Sequence, residues 1–204
     1  MEEILTKKER RELRRQEREG SESEARRSQK IKRTLKILIL LFIMAGVAVG
    51  IYFWLARNEP EGADLSQAIE ILEAVHVLRP AAVSDYNSNP PTSGRHWADA
   101  NAPISRGVHD EEFPDEALVH NLEHGEIWIS YKKSIPDNIK EELKSIARDS
   151  YKVVLTIREK NDMDIAVAAW GRLDKFNLEG GELDRTRIEN FINRYRNRGP
   201  ELVP

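Results

Sequence analysis

Residues 114–131 read PDEALVHNLEHGEIWISY, and the fold follows from how this stretch divides. Pro114 suits the start of a helix, and Asp115 and Glu116 complement the positive end of its dipole. Gly125 suits the position just past its end. Apolar and polar residues then alternate, with Ile127, Ile129 and Tyr131 on one face of a strand. A short helix running through a glycine into a buried-looking strand predicts that the helix lies against the sheet the strand belongs to.

Further along the chain, residues 136–149 form an amphipathic pattern with Ile139, Leu143, Ile146 and Ala147 inward. Residues 151–158 and 164–171 read as strands joined in a hairpin by Glu-Lys-Asn-Asp. Asp184 caps a last helix to about Arg198, with Ile188, Phe191, Ile192 and Tyr195 inward. Upstream, Leu65, Ile69, Leu72 and Val75 recur at helical spacing, so 64–78 is expected to be a helix that Pro80 ends; His76 near its stripe reads as a packed or boundary residue. Residues 79–113 hold four of the nine prolines with little periodicity and read as an ordered loop wrapped on the domain. The expected class is α+β: a small, mostly antiparallel sheet with helices packed on one face.

A different segment precedes this domain. Residues 37–56 carry no charge over 20 positions, about 30 Å of helix, the thickness of a bilayer core. Tyr52, Phe53 and Trp54 sit where an interfacial aromatic belt belongs. A cleaved signal would have a shorter apolar core and a small-x-small site. Here bulky residues follow the only small ones, Ala45 to Gly50, which favours an uncleaved anchor. The near flank is basic, with Arg26, Arg27, Lys30, Lys32, Arg33 and Lys36 and no acid between them. The expected organisation is a charged cytoplasmic tail over 1–36, a transmembrane helix over 37–56, a linker over 57–63 and an extracytoplasmic domain over 64–204 in a single-pass cell-membrane protein.

Charge divides along the same line. Residues 1–36 hold 13 Lys/Arg and 8 Asp/Glu, a formal +5; the remaining 168 hold 19 Lys/Arg against 27 Asp/Glu. The tail suits anionic lipid. The acidic domain does not suit nucleic acid. The chain contains no cysteine, which excludes disulfides, thiolate chemistry and Cys-based zinc sites.

Four of the five histidines fall between positions 96 and 124. On a helix, His120 and His124 stand one turn apart, on the side opposite Leu118 and Leu122, and their rings can meet one ion. Glu123 between them is a candidate ligand, ligand support or catalytic base. A third imidazole, His96, ends the loop Tyr86-Asn87-Ser88-Asn89-Pro90-Pro91-Thr92-Ser93-Gly94-Arg95-His96. The polar groups of that loop, Tyr86, Asn87 and Ser93 among them, either line a ligand pocket or cap the loop's own turns. Ser93 with His96 as a nucleophile pair lacks a glycine elbow and a clear acid, Asp85 and Asp99 being the candidates. His-x-x-Glu-His also matches the inverzincin peptidase pattern. That reading would need a third ligand downstream, where Glu179, Glu182 and Glu189 stand without distinction.

Three motifs carry a resemblance: the 86–96 loop, Val119-His120-x-Leu122-Glu123-His124-Gly125, and Ala169-Trp170-Gly171. With them the chain resembles the bacterial domain-of-unknown-function 3105 family over about 70–175. The resemblance implies a membrane-tethered or secreted domain with no established activity, and it assigns no role to His109.

The residues themselves point to one divalent transition metal, zinc or copper(II), on His96, His120 and His124 with Glu123. Copper(I) is disfavoured, since Met163 is the only methionine of the outer domain. The alternatives are a cell-envelope interaction module with structural histidines and, third, a metal-dependent hydrolase with Glu123 as base.

Overall fold

The structure, a computed structural model, describes residues 32–52, 62–201 and 203. It divides into two units at residues 59/60. In the first, α1 (Lys32–Tyr52) is the one helix among the described residues that is long and apolar enough to cross a membrane. Its apolar side chains are exposed along its length, from Leu35 to Tyr52. Residues 1–31 of the tail expected over 1–36, 53–56 of the expected transmembrane helix and 57–61 of the linker expected over 57–63 lie outside the described residues.

The second unit is α+β. Its order is β1 (Gln67–Ala68), β2 (His76–Val77), β3 (His96–Trp97), β4 (Gly107–Glu112), α2 (Asp115–Glu123), β5 (Ile127–Tyr131), α3 (Asp137–Asp149), β6 (Val153–Ile157), β7 (Ile165–Ala169), β8 (Arg172–Phe176) and α4 (Arg185–Tyr195). The main sheet runs β1-β8-β7-β5-β6-β4, and a two-stranded ribbon joins β2 to β3. β5 is the pivot: it runs parallel to β6 on one side and antiparallel to β7 on the other. All five of its residues are buried.

The alternation read in β5 sorts side chains to two cores, as a strand's two-residue period requires. Ile127, Ile129 and Tyr131 join Val153, Leu155, Ile165 and Val167 under α3 and α4. Trp128 joins Val154, Ala166 and Ala168 against Leu118 and Leu122 of α2. Helices therefore cover both faces of the sheet, not one as expected. The physical reason is that both sides of β5–β7 are apolar, and a sheet apolar on both sides needs two covering layers. The 151–158/164–171 hairpin is also corrected. β6 and β7 are separated by β5, and β7 turns instead into β8 through Trp170 and Gly171.

Residues 64–78 are not a helix. Their backbone groups go to neighbours instead: Ile69 N–H to the Gly171 carbonyl (3.0 Å) and Leu72 N–H to Ser93 Oγ (2.9 Å), while the Val75 carbonyl accepts from His96 N–H (3.0 Å). Of the residues expected on the helical stripe, Ile69, Leu72 and Val75 are part-buried, while Leu65 is 52% exposed. This three-residue spacing is shared by a helix and an extended chain that turns once every three residues. The backbone partners decide between the two. The 79–113 stretch is ordered as expected, with β3 and the edge strand β4 inside it. β4 runs parallel to β6 with a register shift between Val108 and Glu112.

Asn121 holds this loop to α2. Its side-chain oxygen accepts from Ile104 N–H (3.0 Å), and its amide nitrogen donates to the Ile104 carbonyl (2.7 Å) and to Glu126 Oε2 (2.7 Å). Gly125 takes φ +72°, and a Cβ there would stand 2.9 Å from Asn197 Cα. Gly125→Ala is expected to cost about 1–3 kcal/mol from left-handed strain and overpacking. A scan of the purified chain should then melt about 2–12 °C lower; an unchanged melting temperature would show that the 197 segment yields freely.

Candidate metal centre

The ribbon of β2 and β3 builds half of the site. The strands are parallel with His76 opposite His96 and Val77 opposite Trp97. Paired residues project to one face of a sheet, so the two imidazoles stand side by side, ring centroids 4.8 Å apart. α2 supplies the other half. His120 and Glu123 are three residues apart on one helix face and turn toward the ribbon. His120 lies 5.1 Å from His96 and 5.4 Å from His76 between ring centroids. One ligand atom from each of His76, His96, His120 and Glu123 falls within 4.8 Å of the others.

Hydrogen bonds fix which nitrogens face inward. The Gly94 carbonyl can only accept, so His96 Nδ1 donates to it (2.8 Å). The Trp97 carbonyl likewise accepts from His120 Nδ1 (2.6 Å). Both imidazoles thus carry their proton on the outer nitrogen and, when neutral, present an Nε2 lone pair to the cluster. His96 Nε2 stands 2.9 Å from Glu123 Oε2, and His76 Nε2 stands 3.0 Å from the same oxygen. A neutral imidazole lone pair facing a carboxylate is two acceptors in contact. A proton or a cation must lie between them.

Burial sharpens that requirement. His96 is fully buried, Glu123 is 4% exposed and His120 is 7% exposed. The His76 side chain is about half exposed, so the cluster meets solvent there. Burial alone would raise the Glu123 pKa. The bond from His76 and the charges of His96 and His76 outweigh it and hold the carboxyl below its ordinary value. Burial lowers His120, against the bond to the Trp97 carbonyl, and the neighbouring His124 and His96 lower it further. The centre therefore favours an ionised carboxylate and a neutral His120.

The structure brings together three of the four residues read from the motifs as metal ligands: His96, His120 and Glu123. His124 caps the helix end; its ring lies 4.6 Å from that of His120, and its Nε2 faces Glu201 Oε2 at 3.3 Å. The residue missed was His76, hidden by the helical reading of 64–78. Only the extended course of that segment carries its ring to His96. Tyr86 and Asn87 make bonds to backbone, Tyr86 Oη donating to the Arg95 carbonyl (2.8 Å) and Asn87 Nδ2 to the Glu70 carbonyl (2.8 Å). Ser93 is fully buried, accepts from Leu72 N–H, and does not bond His96, whose nitrogens face Gly94 and Glu123. Asp99 pairs with Arg79 (2.9 Å). Of the downstream glutamates, Glu189 pairs with Arg185 (2.7 Å), and Glu179 and Glu182 meet through backbone, Glu182 N–H donating to the Glu179 carbonyl (3.2 Å). His109 bonds the Ser105 carbonyl (2.7 Å).

The fold and the site together define an α+β domain with a histidine–carboxylate cluster between a helix and a two-stranded ribbon. The chain belongs to the family described as protein of unknown function (DUF3105), whose model matches residues 76–203. The match begins at His76 and takes in Glu201, so the whole cluster lies within it. No curated protein and no solved structure matches the chain.

Both shifts act on stability in one direction. Glu123, depressed, contributes stability that is present above its unfolded value of 4.5 and lost as pH falls through its folded value. His120, also depressed, loses stability as pH drops below 6.5, where the unfolded imidazole takes up a proton first. The metal-free chain is expected to melt progressively lower as pH falls from 6.5 toward 4. Resolved imidazole titrations should show His120 below 6.5; a value above it would reverse the assignment.

Proposed function

We propose that this domain binds one divalent transition ion, zinc or copper(II), through Nε2 of His76, His96 and His120 and a carboxylate oxygen of Glu123. The observation that carries the reading is the pair of outer hydrogen bonds, from His96 Nδ1 and His120 Nδ1 to backbone carbonyls. Metal-ligating histidines are oriented in this way: the second nitrogen donates to a carbonyl, which fixes the tautomer and raises the basicity of the first. Three imidazoles and a carboxylate suit tetrahedral coordination, with ligand bonds of about 2.0–2.1 Å and ligand atoms roughly 3.3 Å apart. The cage is set between rigid elements and reached from solvent at His76. Glu123 faces His76 and His96 as a ligand would, which favours binding over hydrolysis with Glu123 as base.

We place this domain outside the cytoplasm, with α1 as its single anchor and the basic N-terminal flank against anionic lipid on the inner side. The length of α1 and the run of Lys and Arg leading into it support this placement. The competing reading, an interaction module locked by structural histidines, draws on the same contacts. A proton held between His96 and Glu123 would satisfy them without an ion.

The two readings part on chelation. The full chain in detergent is expected to retain at least one ion after dialysis. At ion concentrations about 1,000-fold above Kd, removal by chelator should cost about 4 kcal/mol, a fall of about 8–16 °C in Tm. The His96→Ala, His120→Ala double variant should hold none at this centre. Affinity should fall as pH drops below ~6.5, since protonated imidazole cannot ligate. Negligible metal in wild type and a Tm indifferent to chelator would leave the structural reading standing.

A further inference from the structure

The chain beyond α4 folds back over the end of α2. Asn197 N–H donates to the Gly125 carbonyl (2.8 Å), and Glu201 N–H donates to the Glu123 carbonyl (3.1 Å). Gly199 lies so close that a Cβ there would stand 2.1 Å from the Glu123 carbonyl oxygen and 2.4 Å from Gly125 N. Lys152, almost fully buried, donates to the His124 and Val203 carbonyls and holds both strands of this junction. These bonds place the Glu201 side chain at His124. A carboxylate oxygen of Glu123, a ring nitrogen of His124 and a carboxylate oxygen of Glu201 all lie within 4.8 Å of one another. Glu123 is thus a member of two groups, one with three imidazoles and one with an imidazole and a second carboxylate.

We propose that the centre takes two divalent cations, with the Glu123 carboxylate shared between them. The first ion is the one held by His76, His96 and His120, and the proposal rests on that reading. The second is held by His124 and Glu201, with water completing its shell on the solvent side, where the Glu201 side chain is about half exposed. A carboxylate has two oxygens and commonly spans ions about 3.5–4 Å apart. His120 and His124, with ring centroids 4.6 Å apart, suit neighbouring ions of that separation better than one shared ion, because His124 Nε2 is turned toward Glu201. The charge also balances. Two carboxylates and four neutral imidazoles leave a pair of divalent ions with a net charge of +2, which bound hydroxide or an anionic ligand can offset. The second position binds more weakly than the first. It has fewer nitrogen ligands and a half-exposed carboxylate, so it fills after the first.

The test is stoichiometry in the full chain, purified in detergent with a tag free of histidine, stripped of metal and then loaded with zinc or copper(II) and dialysed. Two ions per chain are expected in wild type and one in Glu201→Gln, whose amide keeps the shape of the carboxylate. His124→Gln should give the same result by an independent route. On titration with copper(II), the second equivalent should broaden or abolish the electron paramagnetic resonance signal of the first. In Glu201→Gln the first signal should persist. One ion in wild type and in both variants overturns the shared centre and leaves the single site. No ion in wild type overturns both readings. Two ions in every protein overturns this assignment, since the second would then sit elsewhere.

Discussion

A carboxylate withdrawn from water must be met by positive charge or by donors, and in this domain that constraint falls on Glu123. Its neighbours on α2, from Ala117 to Asn121, are buried, so the helix cannot rotate to release it. Leu118 and Leu122 are fixed on the sheet, each contributing about 1.5–3 kcal/mol by burial. The acid is therefore held in place by apolar packing on the far side of its helix. What answers it is a set of imidazoles drawn from three places in the chain, and the loops that bring them in serve that encounter.

The answering groups are oriented by backbone. His96 hangs from the Gly94 carbonyl and His120 from the Trp97 carbonyl, so both depend on the short segment 94–97. That segment is fixed in turn. Its strand pairs with residues 76–77, the Trp97 indole donates to the Ala81 carbonyl, and the Arg79 guanidinium stacks on its ring at 4.1 Å. The Ala169-Trp170-Gly171 motif belongs to the same assembly, since Gly171 N–H donates to the Thr92 carbonyl and the Trp170 ring meets His96 edge-on. Loop, hairpin turn and helix end, separate in sequence, are three walls of one site.

The sequence made legible what depends on a single element. α2 with its glycine stop, β5, α3 and α4 stand where periodicity and capping put them, and His120 and Glu123 share the helix face expected. Pairing between elements was not legible. Nothing local says that β5 enters between β6 and β7, because all three strands are apolar on both sides. The error over 64–78 has a definite cause. An apolar residue every third position is compatible with two backbones, and the choice rests on partners more than 20 residues away, such as Ser93 and His96. His76 is hidden for that reason, and His124 stands with its ring 4.6 Å from that of His120 and its Nε2 3.3 Å from Glu201 Oε2.

The return of residues 197–201 over the end of α2 bears on the order in which the domain is completed. Chains are made from the N-terminus, so this closing segment emerges after everything it covers. Until then the carbonyls of Glu123, at the end of α2, and of Gly125, just past it, lack the partners that the segment later supplies. A nascent domain can form the sheet and set the first imidazoles around Glu123 while still lacking its final clasp. Assembly of the cluster is thereby ordered along the chain, with residues 197–201 joining last among the segments that surround it.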